Sequence, residues 1–299
     1  MKKTTIITHN GSYHADDLFA VAALSLFLSG EGQAKDKVEI IRTRDADIIK
    51  GGDYVVDVGG IYDEAKFRFD HHQIGGAGTR DNGIPYASFG LVWKFCGEKL
   101  CDSKEIADSI DERLVAPIDA NDSGVDIADF KFKGVSPYLI QDFFYAFRPT
   151  WKEDSSIDAV FVELVELAKA LLAREIKRAV DRKEAEVFVE KAYEDSEDKR
   201  LIVLDQYWPW RDVILNYEEP LFIVFKERGD NWCARAVPEN DESFSNRKDF
   251  PLEWAGKRGK ELADITGVPD AIFCHNKLFT AYAGSKEGAI ELAKLAIEA

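Results

Sequence analysis

In the first half of the chain, short β-branched runs alternate with stretches whose apolar residues recur every three to four positions. Thr4 to Thr8, Val38 to Thr43 and Tyr54 to Val58 have the two-residue period of strands, and Asp17 to Leu28 lies between the first two as a helix. Strands separated by helices imply βαβ units and a mainly parallel sheet. Pro85 to Leu100 and Lys104 to Val115 predict two more helices, the second stopped by Pro117. From Ser155 onward, Ile157, Phe161, Leu164, Ala168, Leu172, Ile176 and Val180 repeat at helical spacing. This predicts one long helix, or two, with a solvated charged face. Beyond residue 200 the pattern changes to Leu201 to Leu204, Leu221 to Lys226, Trp232 to Val237, Ala271 to His275 and Leu278 to Tyr282, strands with few helices between them. The expected fold is therefore α/β, a mainly parallel N-terminal domain over residues 1–150, with a smaller C-terminal α+β domain over 200–299. A helical connector over 151–199 joins them and leaves a cleft.

Composition narrows the setting. At 299 residues and 45% hydrophobic, the chain exceeds the ~100–200 residues of one domain and can bury a sizeable core. The run from Thr4 to Ile7 is far short of a signal peptide, and no stretch approaches the ~18 apolar residues of a membrane span. Cys96, Cys101, Cys233 and Cys274 form no CxxC pair. A soluble, cytoplasmic chain with no membrane partner is expected, and zinc held by thiolates is not. The net charge of -16 disfavours wide binding of long duplex nucleic acid but leaves room for a short anionic substrate held by a few local cations. It would also draw in a divalent cation. The pattern leaves a homo-oligomer open.

Four of the five histidines fall in the first 72 residues, each beside carboxylates: His9 and His14 before Asp16 and Asp17, then Asp70-His71-His72. His9, Asp57 and Asp70 each follow an apolar strand, so the polar groups collect at strand tips, where open α/β sheets place their sites. Asp45, Asp47, Asp53, Asp63 and Asp81 read instead as turn formers. Imidazole and carboxylate donors together suit Mn²⁺ first, with Fe²⁺, Co²⁺ and Zn²⁺ as alternatives, whereas Mg²⁺ prefers oxygen ligands. Two such ions sharing a carboxylate would lower the pKa of a common water to near neutrality, the chemistry of phosphoester hydrolysis.

The segments Thr8-His9-Asn10-Gly11-Ser12-Tyr13-His14-Ala15-Asp16-Asp17, Val56-Asp57-Val58-Gly59-Gly60, Phe69-Asp70-His71-His72-Gln73 and Ile118-Asp119-Ala120-Asn121-Asp122 resemble the four motifs of the melanocyte-proliferating-gene-type exonucleases, a branch of the DHH phosphoesterase superfamily. The likeness continues through Ser243 to Lys248 and Phe273 to Asn276. It implies a DHH-type N-terminal domain with two Mn²⁺-like ions, Mg²⁺, Co²⁺ or Fe²⁺ also being open. His9, His14 and Asp57 would hold one ion and Asp16, Asp57, His71 and Asp122 the other, with Asp119 the alternative to Asp122. Asp70 would orient an imidazole from behind, and His72 would face a substrate phosphate. Ser123 and Ala281-Tyr282 depart from the family pattern, the latter standing where a Gly pair is common.

The leading expectation is a 3'-5' exonuclease on RNA or short oligonucleotides. A small-substrate phosphohydrolase, cleaving pyrophosphate or a nucleotide phosphate, and a non-catalytic metal or nucleotide sensor compete with it. Arg235, Arg247, Lys248 and His275 are the expected grips on substrate phosphate, and Tyr207, Trp208, Trp210, Trp232 and Trp254 are candidates for base stacking.

Overall fold

The computed structural model describes residues 3–30, 38–227, 229–241 and 243–299. The chain divides into two compact units, Met1–Val180 and Asp181–Ala299. Among the described residues no helix is long and apolar enough to cross a membrane.

The first unit is built on a five-stranded sheet of order β2-β1-β3-β5-β4. Its strands are β1 (Thr4–Thr8), β2 (Val38–Arg42), β3 (Tyr54–Val56), β4 (Tyr62–Asp63) and β5 (Arg68–Phe69). All pairings are parallel except β4 with β5, and β4 is a two-residue strand that periodicity could not reveal. The period of two divides the side chains between two faces. Ile6, Val56 and Phe69 enter the main core, while Ile7 and Val55 enter a small cluster with Val58, Ile41 and Ile49. Helix α1 (Ala15–Gly30) lies in the main core and is buried from Ala15 to Ser25 without an exposed side, which explains its near-continuous apolar sequence. The other face carries little beyond α2 (Ala46–Gly51), whose start is capped by the Asp45 carboxylate accepting from the Asp47 and Ile48 amides.

Helix α3 (Ser88–Cys101) packs against α1, and α4 (Lys104–Ile110) follows it. Pro117 does not stop the chain as the pattern predicted. Residues Asp111–Val115 form a π-helical turn in which the Ala116 amide donates to the Asp111 carbonyl, and α5 (Ala116–Asp122) continues with proline in its first turn, where a missing N–H costs little. This continuation carries Asp122 to within 3.2 Å of His71, which follows β5. After α6 (Ile140–Tyr145), the repeat beginning at Ile157 is one 39-residue helix, α7 (Ile157–Asp195), and the division between the units falls inside it.

The second unit holds a sheet of order β6-β7-β8-β10-β9, made by β6 (Leu201–Val203), β7 (Phe222–Lys226), β8 (Trp232–Ala236), β9 (Ala271–Cys274) and β10 (Thr280–Ala283). Only β6 and β7 run parallel. One face buries Phe222, Val224, Ala234 and Ala281 with Leu262 of α9 (Gly259–Thr266) and with α10 (Lys286–Glu298). The other buries Ile202, Ile223, Phe225 and Cys233 with α8 (Arg211–Ile214) and the end of α7.

Candidate metal centre

β1 and β3 are neighbours, but the chain leaves β1 through α1 to reach β2 on the far side. Between their carboxyl ends lies the reversal point at which open parallel sheets hold ligands. His9 follows β1 there and Asp57 follows β3. Asp57 adopts φ 54°, a left-handed conformation that Asp tolerates better than most residues, and Gly59 and Gly60 continue the turn at 97° and 68°. Its carboxylate sits between two imidazoles, Oδ2 at 3.2 Å from His9 Nε2 and Oδ1 at 3.3 Å from His71 Nε2. Ser88 Oγ donates to Oδ1 at 3.2 Å. Burial pushes the Asp57 carboxyl up, but His71 and His9 outweigh it and hold it well below the usual range.

His9 Nδ1 lies 3.1 Å from the Asn10 carbonyl, which in the neutral ring keeps the proton there and leaves Nε2 as the ligating nitrogen. His71 Nε2 is 3.2 Å from Asp122 Oδ2, and His14 Nδ1 is 4.0 Å from Asp122 Oδ1. Asp16, buried in the first turn of α1, accepts from the Ser88 and Phe89 amides at the start of α3. Three donor sets result, each with ligand atoms within 4.8 Å of one another: His9, His14 and Asp57; Asp57, His71 and His72; Asp16, His71 and Asp122.

These groups suit a divalent cation by two criteria. First, the buried His71 Nε2 and Asp17 Oδ2 have close neighbours of complementary charge but no aligned hydrogen bond, so they converge without satisfying each other. Second, the carboxylates Asp16, Asp17, Asp57 and Asp122 crowd around the His9 and His71 rings. Burial opposes a charged ring, yet Asp17 and Asp57 raise His9 to about 10, and Asp122 and Asp57 raise His71 to about 11. Burial, with Asp122 and Asp57 nearby, pushes Asp16 well up. A bound cation would take the place of those protons.

Asp70 is buried and accepts from the Gly60 amide at 2.5 Å and from His72 Nδ1 at 2.7 Å. The imidazole it orients is thus that of His72, whose side chain is 60% exposed at the mouth of the site. Two contributors escaped the sequence pattern. Asp17 is fully buried, accepts from the His14 amide and lies 3.2 Å from His9 Nε2. Arg44, after β2 on the same sheet edge, lines the cavity of about 250 Å³ that also contains His9, His14, Asp57 and His72. Its place after an apolar strand was the available signal.

Other candidates lie outside this cluster. Asp119 is held away from the cluster by Arg80 at 2.8 Å and the Gly90 amide at 3.0 Å, and burial pushes its carboxyl up to about 7 against Arg80. Asp122, not Asp119, meets His71. Arg247 does not reach outward: Nη1 donates to the Tyr217 and Pro220 carbonyls at 2.6 and 3.1 Å. Lys248 Nζ donates to the Ile297 carbonyl near the end of α10. Among the stacking candidates, Trp210 and Trp254 are core residues, and Trp208 stacks on Phe188; Tyr207 is exposed. Arg235 faces Phe279 and His275 packs on the same ring, both within the second unit. Arg247→Ala should therefore lower stability by about 1–3 kcal/mol, read as a shifted denaturation midpoint at unchanged m. An unshifted midpoint with weaker oligonucleotide binding would restore its substrate role.

The family profile MYG1_exonuc, described as "Uncharacterised protein family (UPF0160)", matches residues 5–297. The chain is similar to the MYG1 protein of Dictyostelium discoideum, 30% identical over 98% of this chain and 96% of that one. It is 31% identical to the MYG1 protein of Chlamydia muridarum, covering 97% and 96% of the two chains. Human MYG1 exonuclease is 28% identical, with 98% and 86% covered. No solved structure matches it. A profile that spans almost every residue, together with these relatives, shows that the chain belongs to the MYG1_exonuc family.

Proposed function

We propose that the chain is a metal-dependent phosphoesterase of DHH type, acting as a 3'-5' exonuclease on RNA or short oligonucleotides in the cytoplasm. The observation that carries this is the pair of donor groups His9, His14, Asp57 and Asp16, His71, Asp122, with Asp57 lying between His9 and His71 and with His71 Nε2 buried and without a hydrogen bond. The names of the human and mouse relatives, MYG1 exonuclease, point to the same class of reaction. Mn²⁺ suits the mixed imidazole and carboxylate donors, and ions held there would supply Lewis acidity and lower the pKa of water.

The protein's own part is positioning. His9, His14, Asp16, Asp57, His71 and Asp122 hold the charge. Ser88 Oγ fixes Asp57, and Asp70 fixes His72 so that its outer nitrogen is free to donate to a phosphate oxygen. One feature favours a smaller substrate such as pyrophosphate: the cavity at the donors, about 250 Å³, lies just below the roughly 300–1,000 Å³ usual for small-molecule sites.

The test combines purified protein and Mn²⁺ with end-labelled RNA, DNA and pyrophosphate. A ladder of mononucleotides from one end is the expected result. Orthophosphate from pyrophosphate alone would replace the exonuclease reading with the small-substrate one, and no turnover of any kind would leave a sensor. In the same assay, His71→Ala should lose metal affinity by about 10–100-fold or more. His72→Ala should lose turnover with metal content nearly unchanged. Equal metal loss in the two would refute the separation of their roles.

A further inference from the structure

A second cavity, about 600 Å³, opens behind the metal-site pocket and shares Arg44, Val58 and Gly59 with it. Its apolar lining comes from Ile49, Val55, Val58 and Ile61, and Ile61 is 55% exposed. The charged groups on its rim are all cationic: Arg44, Lys50, Lys66 and Arg68. Two of these are engaged, Lys66 with Asp63 at 2.6 Å and Arg68 with backbone carbonyls including that of Gly52. Among the described residues Arg44 and Lys50 have no ion pair. On a chain of net charge -16, a groove whose titratable rim is wholly basic is unusual. An apolar floor with cations at its edge suits an occupant with a flat, weakly polar body and flanking negative charge, as a nucleoside base with its phosphates has.

We infer that this groove holds the body of a single-stranded substrate whose end lies at the metal centre, a base resting on Ile49 and Ile61 and a phosphate passing between Arg44 and Lys50. The inference deepens the phosphoesterase reading and rests on it for the position of the strand end. Continuity through Arg44, Val58 and Gly59 fixes the direction in which the chain must leave the small cavity. It also reconciles a small cavity at the donors with an oligonucleotide substrate, since the bulk of the strand is bound next door.

The test compares the full-length parent with a Lys50→Glu, Ile61→Glu double variant, both positions being exposed and remote from the core. Each is assayed on a dinucleotide and on a 12-nucleotide RNA with Mn²⁺. Each is also photocrosslinked, with and without Mn²⁺, to the 12-mer bearing 5-iodouracil near its cleaved end. The expected result is a KM for the 12-mer raised about tenfold or more, a dinucleotide rate within about twofold of the parent, and crosslinks in the parent within residues 44–68. Equal losses on both lengths, no loss on either, or crosslinks mapping elsewhere would overturn it. If the parent cleaves neither substrate, the phosphoesterase reading fails, while the crosslink position still decides whether the groove binds the strand.

Discussion

Asp57→Asn is expected to abolish turnover while leaving the fold intact. Asn is nearly isosteric and, with Asp, tolerates the left-handed conformation at φ 54°, so the change isolates charge from shape. The carboxylate is common to two of the three donor sets and lies against both His9 and His71. Metal affinity should fall by more than the roughly 10–100-fold typical of partners that only orient a ligand. A Lewis acid contributes several kcal/mol to such chemistry, so the rate should drop by about 10³-fold or more. The measurements are metal content by elemental analysis, turnover of the end-labelled RNA, and circular dichroism as the fold control. Parental turnover by a folded variant that keeps its metal would refute the shared-carboxylate site.

Gly90→Ala should destabilise the first unit, against the usual sign for such a change. Within a helix, alanine normally gains about 0.5–1 kcal/mol over glycine. At Gly90 in α3, however, a Cβ would overlap Asp119 Oδ2 and come within 2.9 Å of its Cγ and 2.8 Å of Arg80 Nη2. Asp119 is fully buried and pinned by Arg80, itself bidentate to Asp111 at 2.7 Å, so it has nowhere to swing. Overpacking costs about 1–3 kcal/mol and disrupting a buried pair about 3–5, which together exceed the helix gain. A fall in Tm of roughly 5–15 °C is expected. In an Asp119→Ala background the same change should carry a smaller penalty, since only the approach to Arg80 Nη2 remains. A stabilised or unchanged single variant would show that the α3–α5 packing is looser than described.

Much of the first unit was legible because its signals are local. β1, α1 and β3 follow from period and composition, and three strand tips bearing His and Asp pointed to one sheet edge. What escaped depends on contacts distant in sequence. Asp16 and Asp17 are adjacent and chemically alike, and only the enclosure of the start of α1 brings both into the site, one against α3 and the other against His9. Asp119 and Asp122 share a helix, and Arg80, some forty residues earlier, decides which of them meets His71. The π turn before Pro117 could not be foreseen, since a proline after a periodic stretch ordinarily reads as a stop. Arg247 and Lys248 show a contrast between loop pattern and contact. Their polar loop suggested outward reach, whereas each closes the open carbonyls of a helix or turn in its own unit.

The two faces of the first sheet differ greatly in what they bury, and this divides the unit into parts that open at different free energies. Ile6, Val56 and Phe69 lie in the main core with α1 and α3, so the backbone of β1, β3 and β5 is expected to exchange its amide hydrogens last. The opposite face holds α2 through little more than Ile7, Val55 and Val58 with Ile41 and Ile49. Such a patch can detach and re-form many times while the main core stays closed. The wall beside Arg44 is thus expected to exchange its amide hydrogens earlier than the strands that carry His9 and Asp57.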